Sequence, residues 1–528
     1  MVTSVWAANL VWVLLAVNWV LEGWSRPDGS NRHSTWRERW QMARESRLLQ
    51  FFVAFYMLHV VGLLWTSNLA HGFAALQVKL PLLVVPLVVL TSRPLTGRVR
   101  RLVLAVYAGT VFVVSVIATV RLFTIPDLPY REAVPYISHI RFALNCCMVV
   151  YLVLLGKPGK LGKLGKLGGG LLVVWMLVFL VLIHSYTAFA ILAVVSLVLL
   201  LVYYRRWPLV ALWLLLAGTA IFFVGYEAKS YYRLIPQATE PLPLFTAGGH
   251  AYDHYCDGII ENGNYINNYL CPEEMRAEWH RRSAVSYDSI GEEGYSLQPT
   301  LVRYLNALGL TKDSVGVWSL TDAQIADIER GVANPVYVGG NPLRKMVYVM
   351  LFEREYYIHT HAVRGFTMLQ RLELWRATLA VIADNPWFGV GTGDVDDALH
   401  ARLAVMDSSL ADTHKSTHNE YLAFLAAFGI VGVLLLLVLL YRPLTNSRTP
   451  LSALYLAWLL TILISFLTED TLDTLAGILF CTYFLFCRDR GCLVRDRQRH
   501  DKGQGAPCSN NTTSQQCTST TPSATESE

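Results

Sequence analysis

Residues 416–437 read "STHNEYLAFLAAFGIVGVLLLL": a histidine, an asparagine and a tyrosine set against the start of a long apolar run. A helix that crosses a hydrocarbon core of about 30 Å needs roughly 20 mostly apolar residues, and this run supplies them. What sets it apart is the ionisable ring at its mouth. Such groups are costly at membrane depth, so they are paired, close to water or functional.

The rest of the chain has the same character. Of its residues 54% are hydrophobic and only 16% charged, with mean hydropathy +0.38, outside the balance of a soluble globular domain. Apolar runs recur at 3–21, 50–66, 74–91, 102–120, 142–155, 170–184, 187–204, 208–225, 419–440, 451–467 and 472–487. The polar break "HSYT" at 184–187 divides a stretch too long for one span and too short for a relaxed pair. The runs predict an all-α polytopic membrane protein with about 11–12 transmembrane helices.

Basic residues fix the orientation, because they are retained on the cytoplasmic side of short loops. One alternate set of connections holds Arg37, Arg39, Arg44 and Arg47, then Arg93, Arg98, Arg100 and Arg101, then Lys157, Lys160, Lys163 and Lys166, then Arg205 and Arg206. The opposite set carries few apart from Arg121, Arg131 and Arg141. The reading that follows is an N-terminal transmembrane bundle of about eight helices at 1–225 and an external, periplasmic segment with amphipathic helices at 226–417. About three more membrane helices follow at 418–487, and a disordered cytoplasmic tail at 488–528. The same parity puts residue 1 outside, and one further upstream helix would instead make the N-terminus cytoplasmic. The net charge of +5 is accounted for by this topology and gives no reason to expect a nucleic-acid partner.

Within the external segment, Thr321 and Gln324 stand at capping-box spacing and Gly331 follows, which predicts a helix over 319–331. In 369–386, Leu372, Trp375, Leu379 and Ile382 recur at steps of three and four. They predict an amphipathic helix lying along the membrane surface and stopped by Asn385-Pro386. Cys256 and Cys271 lie in the same segment. In an oxidising compartment they can close a loop of about 15 residues, stabilising by roughly 3 kcal/mol; two unpaired thiols are the other reading. "GKPGKLGKLGKLGGG" (156–170) reads as a flexible cytoplasmic linker.

Four polar clusters fall at the external ends of apolar runs: "SHIR" (138–141), "HSYT" (184–187), "QRLELWR" (370–376) and "STHNEY" (416–421). They are expected to converge on one outward-facing cavity. His418 is either an interfacial histidine capping the helix behind it or a general base, since a neutral imidazole can take a proton from a sugar hydroxyl near pH 7. Arg141 and Arg371, with Arg376 and the weaker candidate Lys79, offer cationic donors for a diphosphate, which arginine engages bidentately. Ser185, Thr187, Asn419 and Tyr421 add polar groups that can touch substrate. "NPWFGVGTGDV" (385–395) follows no strand and lacks a P-loop lysine, so it reads as a tight turn back to the membrane rather than a nucleotide site. Its Asp394 and Asp396, and the His359/His361 pair, are weak metal signals; no metal is expected.

Taken in order, "RLELWRATLAVIADNPWFGVGTGD", "HNEYLAFLAAFGIVG" and "FLTEDTLDTLAG" resemble the signature region of the O-antigen ligase/polymerase superfamily. "ISHIRFALN", "SYT" and "LLWTSNLAHGFAALQVKLPLLVVPL" resemble its membrane half, in the branch found in Bacteroidetes-type bacteria. The resemblance implies a GT-C-like glycosyltransferase of the bacterial inner membrane with its active site facing the periplasm. Such enzymes move a glycan from undecaprenyl diphosphate to an acceptor, in ligases the lipid A-core sugar, without cofactor, nucleotide sugar or metal. Arg141 and Arg371 match the family's diphosphate-contacting arginines and His418 its proposed base. The chain departs from the pattern at Ser185-Tyr186-Thr187, where many members have Ser-Arg-Thr. An O-antigen polymerase, a protein O-oligosaccharyltransferase and, more distantly, a lipid-linked sugar transporter are the alternative readings.

Overall fold

The computed structural model describes residues 5–24, 35–126, 128–156, 162–234, 242–255, 258–290, 296–338, 340–363, 366–413, 415–445 and 452–487. The protein is mostly helical and forms an all-α polytopic membrane protein. Its first half runs α1 (Val5–Trp24), α2 (Trp36–Glu45), α3 (Arg47–Gly62), α4 (Leu69–Lys79), α5 (Pro81–Thr91), α6 (Gly97–Thr124), α7 (His139–Leu155), α8 (Gly162–Leu182), α9 (Tyr186–Leu199) and α10 (Trp207–Tyr232). Then come a short antiparallel pair, β1 (Ile260–Glu261) and β2 (Asn264–Tyr265), and the helices α11 (Pro272–Arg282), α12 (Leu297–Leu308), α13 (Ser314–Trp318), α14 (Asp322–Glu329), α15 (Pro342–Thr360), α16 (Thr367–Asp384) and α17 (Val395–Val405). The chain closes with α18 (Glu420–Thr445), α19 (Ala453–Ser465) and α20 (Leu475–Tyr483).

Among the described residues, seven helical stretches are long and apolar enough to cross a membrane: 47–65, 69–91, 97–124, 165–182, 186–204, 207–232 and 420–439. Shorter apolar helices stand at 8–24, 139–155, 453–465 and 475–487, so every run read from the sequence corresponds to a helix. The break at "HSYT" is real: His184 takes φ 50° between α8 and α9.

The run at 142–155, short for a membrane span, has a structural explanation. Residues Phe142 to Tyr151 are buried without interruption, because α7 packs against α6, α8, α9 and α19 and has no lipid-facing side along that length. A helix surrounded by protein needs neither an apolar stripe nor full span length. Inside this core the Tyr107 hydroxyl donates to Asn145 Oδ1 at 2.8 Å, and Asn145 Nδ2 donates to the Arg141 carbonyl at 2.8 Å, so the polar groups are satisfied.

The glycine-rich stretch 385–395 does more than turn the chain. α18 is broken at Gly429, whose φ 62° and ψ −170° are non-helical, and a break of this kind inside a membrane helix strands backbone donors and acceptors. The turn fills it. Val390 N and Gly391 N donate to the carbonyls of Ala426 and Ala427, both at 2.9 Å, while Ile430 N and Val431 N donate to Pro386 and Trp387 carbonyls at 2.8 and 3.1 Å. On its other side the Thr392 hydroxyl donates to the His59 carbonyl at 2.7 Å, which clamps the turn between α3 and α18.

Residues 242–356 carry a second core, with Trp279, Leu301, Leu305 and Ile328 fully buried. The expected capping box is present: Gln324 N donates to Thr321 Oγ1 and Thr321 N to Gln324 Oε1. α16 also forms as expected, and Leu372 and Leu379 of its apolar stripe are 55% and 52% exposed. Leu369, Leu374 and Ala377 pack instead against α17. Trp387 and Phe388, just beyond the helix, are exposed as well. Of the expected disulfide, Cys271 is buried and Cys256 lies outside the described residues, as do the tail at 488–528 and residues 157–161 of the linker.

Candidate functional site

The start of α18 is held by a turn between α19 and α20 that carries Glu469, Asp470 and Asp473. Asp470 is 4% exposed and gathers the strap 416–418: its carboxylate accepts from Ser416 Oγ at 2.6 Å, Thr417 Oγ1 at 2.9 Å and the His418 N–H at 2.7 Å. His418 takes φ 49°, the left-handed region, and its Nδ1 lies 3.6 Å from Asp470 Oδ2. The contact is too long for a hydrogen bond, but the carboxylate's charge favours hydrogen on the nitrogen that faces it, and Nε2 has no hydrogen-bond partner among the described residues.

The two arginines selected from the sequence reach the same turn from different helices. Arg141, at the start of α7, donates from Nη2 to the Asp470 carbonyl at 3.1 Å. Arg371, on α16, forms an ion pair with the buried Glu469. Consecutive residues therefore join an imidazole and two guanidinium groups that are far apart in the chain. Arg141 Nε is buried without a hydrogen-bond partner, a donor unused in the protein as it stands. Lys415 and Arg131 add to the positive field, Lys415 being hydrogen-bonded to Gln370 and Arg131 donating to Thr367 Oγ1 at 3.2 Å.

Burial holds the His418 ring below the ordinary histidine pKa of 6.5, and the charges of Arg371, Lys415 and Arg141 push the same way, against the opposing pull of Asp470. The imidazole is therefore neutral at pH 7, the form a base requires. A base that must be unprotonated works above its pKa and fails as pH falls through it. The acid limb of kcat is expected below pH 6.5. In Arg371→Ala, which removes a repelling cation and leaves Glu469 unpaired, that limb moves to higher pH; a pH–rate profile of both proteins checks the sign.

The other selected residues are distributed more widely. Ser185 and Thr187 begin α9, next to a ring group in which Tyr130 lies 4.9 Å from His184 and 5.9 Å from His139. This group ties "HSYT" to "SHIR", so all four polar clusters meet at one end of the bundle. Asn419 caps α18, its Oδ1 accepting from Tyr421 N and Leu422 N at 3.1 Å each. The Tyr421 hydroxyl donates to the Leu463 carbonyl at 2.8 Å. Arg376 is exposed and makes no bond or ion pair among the described residues. Five residues beyond Arg371, it points about 140° away around the helix.

Lys79 departs from its expected place among the diphosphate donors. It is buried, with Nζ 2.7 Å from Asp473 Oδ1, and it lines a cavity of 340 Å³ with His59, Glu420, Asp396 and Phe424. Ser416 and Thr417 also line it, whereas His418, Arg141 and Arg371 do not. Instead of one shared cavity, the structure has an arginine-rich side and a carboxylate-lined cavity that meet at the strap 416–418.

Asp394 is occupied by backbone, accepting from Ser67 N and Asn68 N at 2.7 Å each, and no cluster of metal-ligating side chains is present among the described residues. The sequence reading missed Glu469, Asp470 and Asp473, and also His59 and Glu420. The signal was there: each is an ionisable residue inside or beside an apolar run, the criterion that picked out His418.

Comparison with known proteins gives one family. Residues 334–437, from just before α15 into the second half of α18, match the O-antigen ligase family. No curated protein matches the chain.

Proposed function

With the match over 334–437 supporting membership of the O-antigen ligase family, we propose that this protein is a glycosyltransferase that moves a glycan from undecaprenyl diphosphate to a sugar acceptor, lipid A-core in the ligase reading. The observation that carries the reading is the convergence of His418, Arg141 and Arg371 on the Glu469–Asp470 turn. In the reaction, His418 Nε2 takes the proton of the acceptor hydroxyl. The acceptor oxygen bonds to the anomeric carbon as the bond from that carbon to the diphosphate oxygen breaks, and its electron pair leaves with the diphosphate. Arg141 and Arg371 hold the charge that grows there, preorganised help of the kind that dominates many catalysed steps. Direct displacement inverts the anomeric configuration.

The basic connections alternate with those that carry this site, which supports an inner-membrane enzyme working at the periplasmic face. The apolar stripe of α16 supports a donor that arrives from the bilayer. No step calls for a metal, so transfer is expected to persist in chelator.

Reconstitution of the full chain with a polyprenyl-diphosphate glycan and a panel of acceptors tests the assignment. Labelled lipid A-core supports the ligase, elongated lipid-linked glycan the polymerase, labelled protein the protein transferase. Translocation without transfer contradicts all three. Arg141→Ala is expected to raise the donor KM about 10- to 100-fold, the value of one or two charge-assisted hydrogen bonds, while the acceptor KM stays unchanged.

A further inference from the structure

The cavity beside the strap is unused by the chemistry described so far. Its residues differ in kind from those on the arginine side. Glu420 is more than nine-tenths buried; its Oε2 accepts from Leu472 N at 2.9 Å, and its Oε1 has no partner among the described residues although the side chain lines the cavity. Asp473 uses one oxygen for Lys79, and Asp396 stands at 3.7 Å from His71. The His59 Nδ1 contact with the Phe55 carbonyl at 2.9 Å puts the ring hydrogen there, so Nε2 is an acceptor. Phe424 and Phe428, one and two turns along α18 from Glu420 and with ring centroids 5.8 and 4.8 Å from the His59 ring, also line the cavity, as do small residues of α4 and α18, among them Ala423.

Three carboxyl groups face one ammonium, and that ammonium is already paired with Asp473, so no free cation is available for a phosphate. What the cavity offers is a set of hydrogen-bond acceptors with aromatic side chains beside them. That combination suits a pyranose, with hydroxyls on its edge and C–H groups on its face. The volume of 340 Å³ stands at the low end of ligand pockets, roughly 300–1,000 Å³, and is the size for a sugar ring rather than a lipid. Ser416 and Thr417 line the cavity and His418 is the next residue, so a ring seated there has a hydroxyl at the strap that carries the proposed base.

We propose that this cavity is the acceptor subsite, and that it takes the terminal sugar of the acceptor as a neutral or amino hexose without an anionic substituent. The inference rests on the transferase reading above and adds a division of labour to it: diphosphate on the arginine side, acceptor ring on the carboxyl side, base between them. Lys79 is then a positioning residue of the acceptor cavity and no part of the diphosphate site.

The test uses the full chain in lipid nanodiscs and three alkyl glycosides with hexose, hexosamine and hexose 6-phosphate heads. Calorimetric titration is expected to show binding of the first two and none of the third. Ala423→Phe, which fills the cavity, is expected to abolish hexoside binding and to raise the acceptor KM at least tenfold with the donor KM unchanged. Glu420→Gln keeps the shape and is expected to raise the acceptor KM by about tenfold. Equal or tighter binding of the phosphate head, an unchanged acceptor KM in both variants, or a rise in donor KM instead overturns the proposal. If the parent transfers no glycan to any acceptor, the transferase reading fails, and loss of hexoside binding in Ala423→Phe still decides the cavity's ligand.

Discussion

Replacing His418 with asparagine is expected to lower kcat for glycan transfer by about 10²- to 10⁴-fold, the usual worth of a positioned base. The melting temperature and donor affinity should stay near those of the parent. Asparagine is the informative substitution because position 418 has φ 49°, a conformation asparagine tolerates better than alanine does. Alanine would add backbone strain to the loss of the ring and blur the result. The main-chain N–H that binds Asp470 is kept, so the strap 416–418 holds its place. A single-turnover assay of transfer, run beside donor binding and thermal unfolding in detergent, separates chemistry from folding. Transfer within threefold of the parent would remove His418 from its role.

The second large effect is structural and lies at the break in α18. Gly429 combines φ 62° with ψ −170°, a region that is in practice glycine-only, and a Cβ placed there would sit 2.3 Å from the backbone of Trp387. Neither problem can relax alone, since Trp387 is fixed by its hydrogen bond from Val431. Gly429→Ala is therefore expected to cost at least 3 kcal/mol, roughly the top of the range for a strained residue before the clash is counted. Thermal unfolding in detergent should fall well below the parent, with poor recovery of folded protein. Gly218→Ala, within α10, is a useful comparison: there a Cβ would meet nothing within 4 Å, so its cost should be much smaller.

How much of this was legible in the sequence depends on the range of the interaction. Span positions were readable because lipid imposes a local requirement, a run of apolar residues, on each helix separately. Topology suggested that "SHIR", "HSYT", "QRLELWR" and "STHNEY" lie near one another, since alternating spans place their outer ends together, but the single cavity expected of them was not found: His418, Arg141 and Arg371 stay outside the one that Lys79 lines. The role of the glycine-rich turn was not. Val390 and Gly391 satisfy carbonyls exposed by a break about 40 residues later, and Gly429 reads as an ordinary small residue in an apolar run. Lys79 was assigned to the wrong neighbours for a similar reason: its partner Asp473 comes from the far end of the chain, and charge alone does not reveal pairing. Asp470 was visible in "FLTEDTLDTLAG" only as part of a resemblance, because its work is to receive hydrogen bonds from three consecutive residues of another segment.

The central claim is that an imidazole and two guanidinium groups form one site for a lipid diphosphate. A cryo-electron microscopy structure of the full chain with a polyprenyl diphosphate bound tests it most directly. The account predicts phosphate density between Arg141 and Arg371, in contact with the Arg141 Nε that is unpartnered here, and facing His418. Density that lies in the carboxyl-lined cavity around Lys79, or away from both arginines, would contradict it.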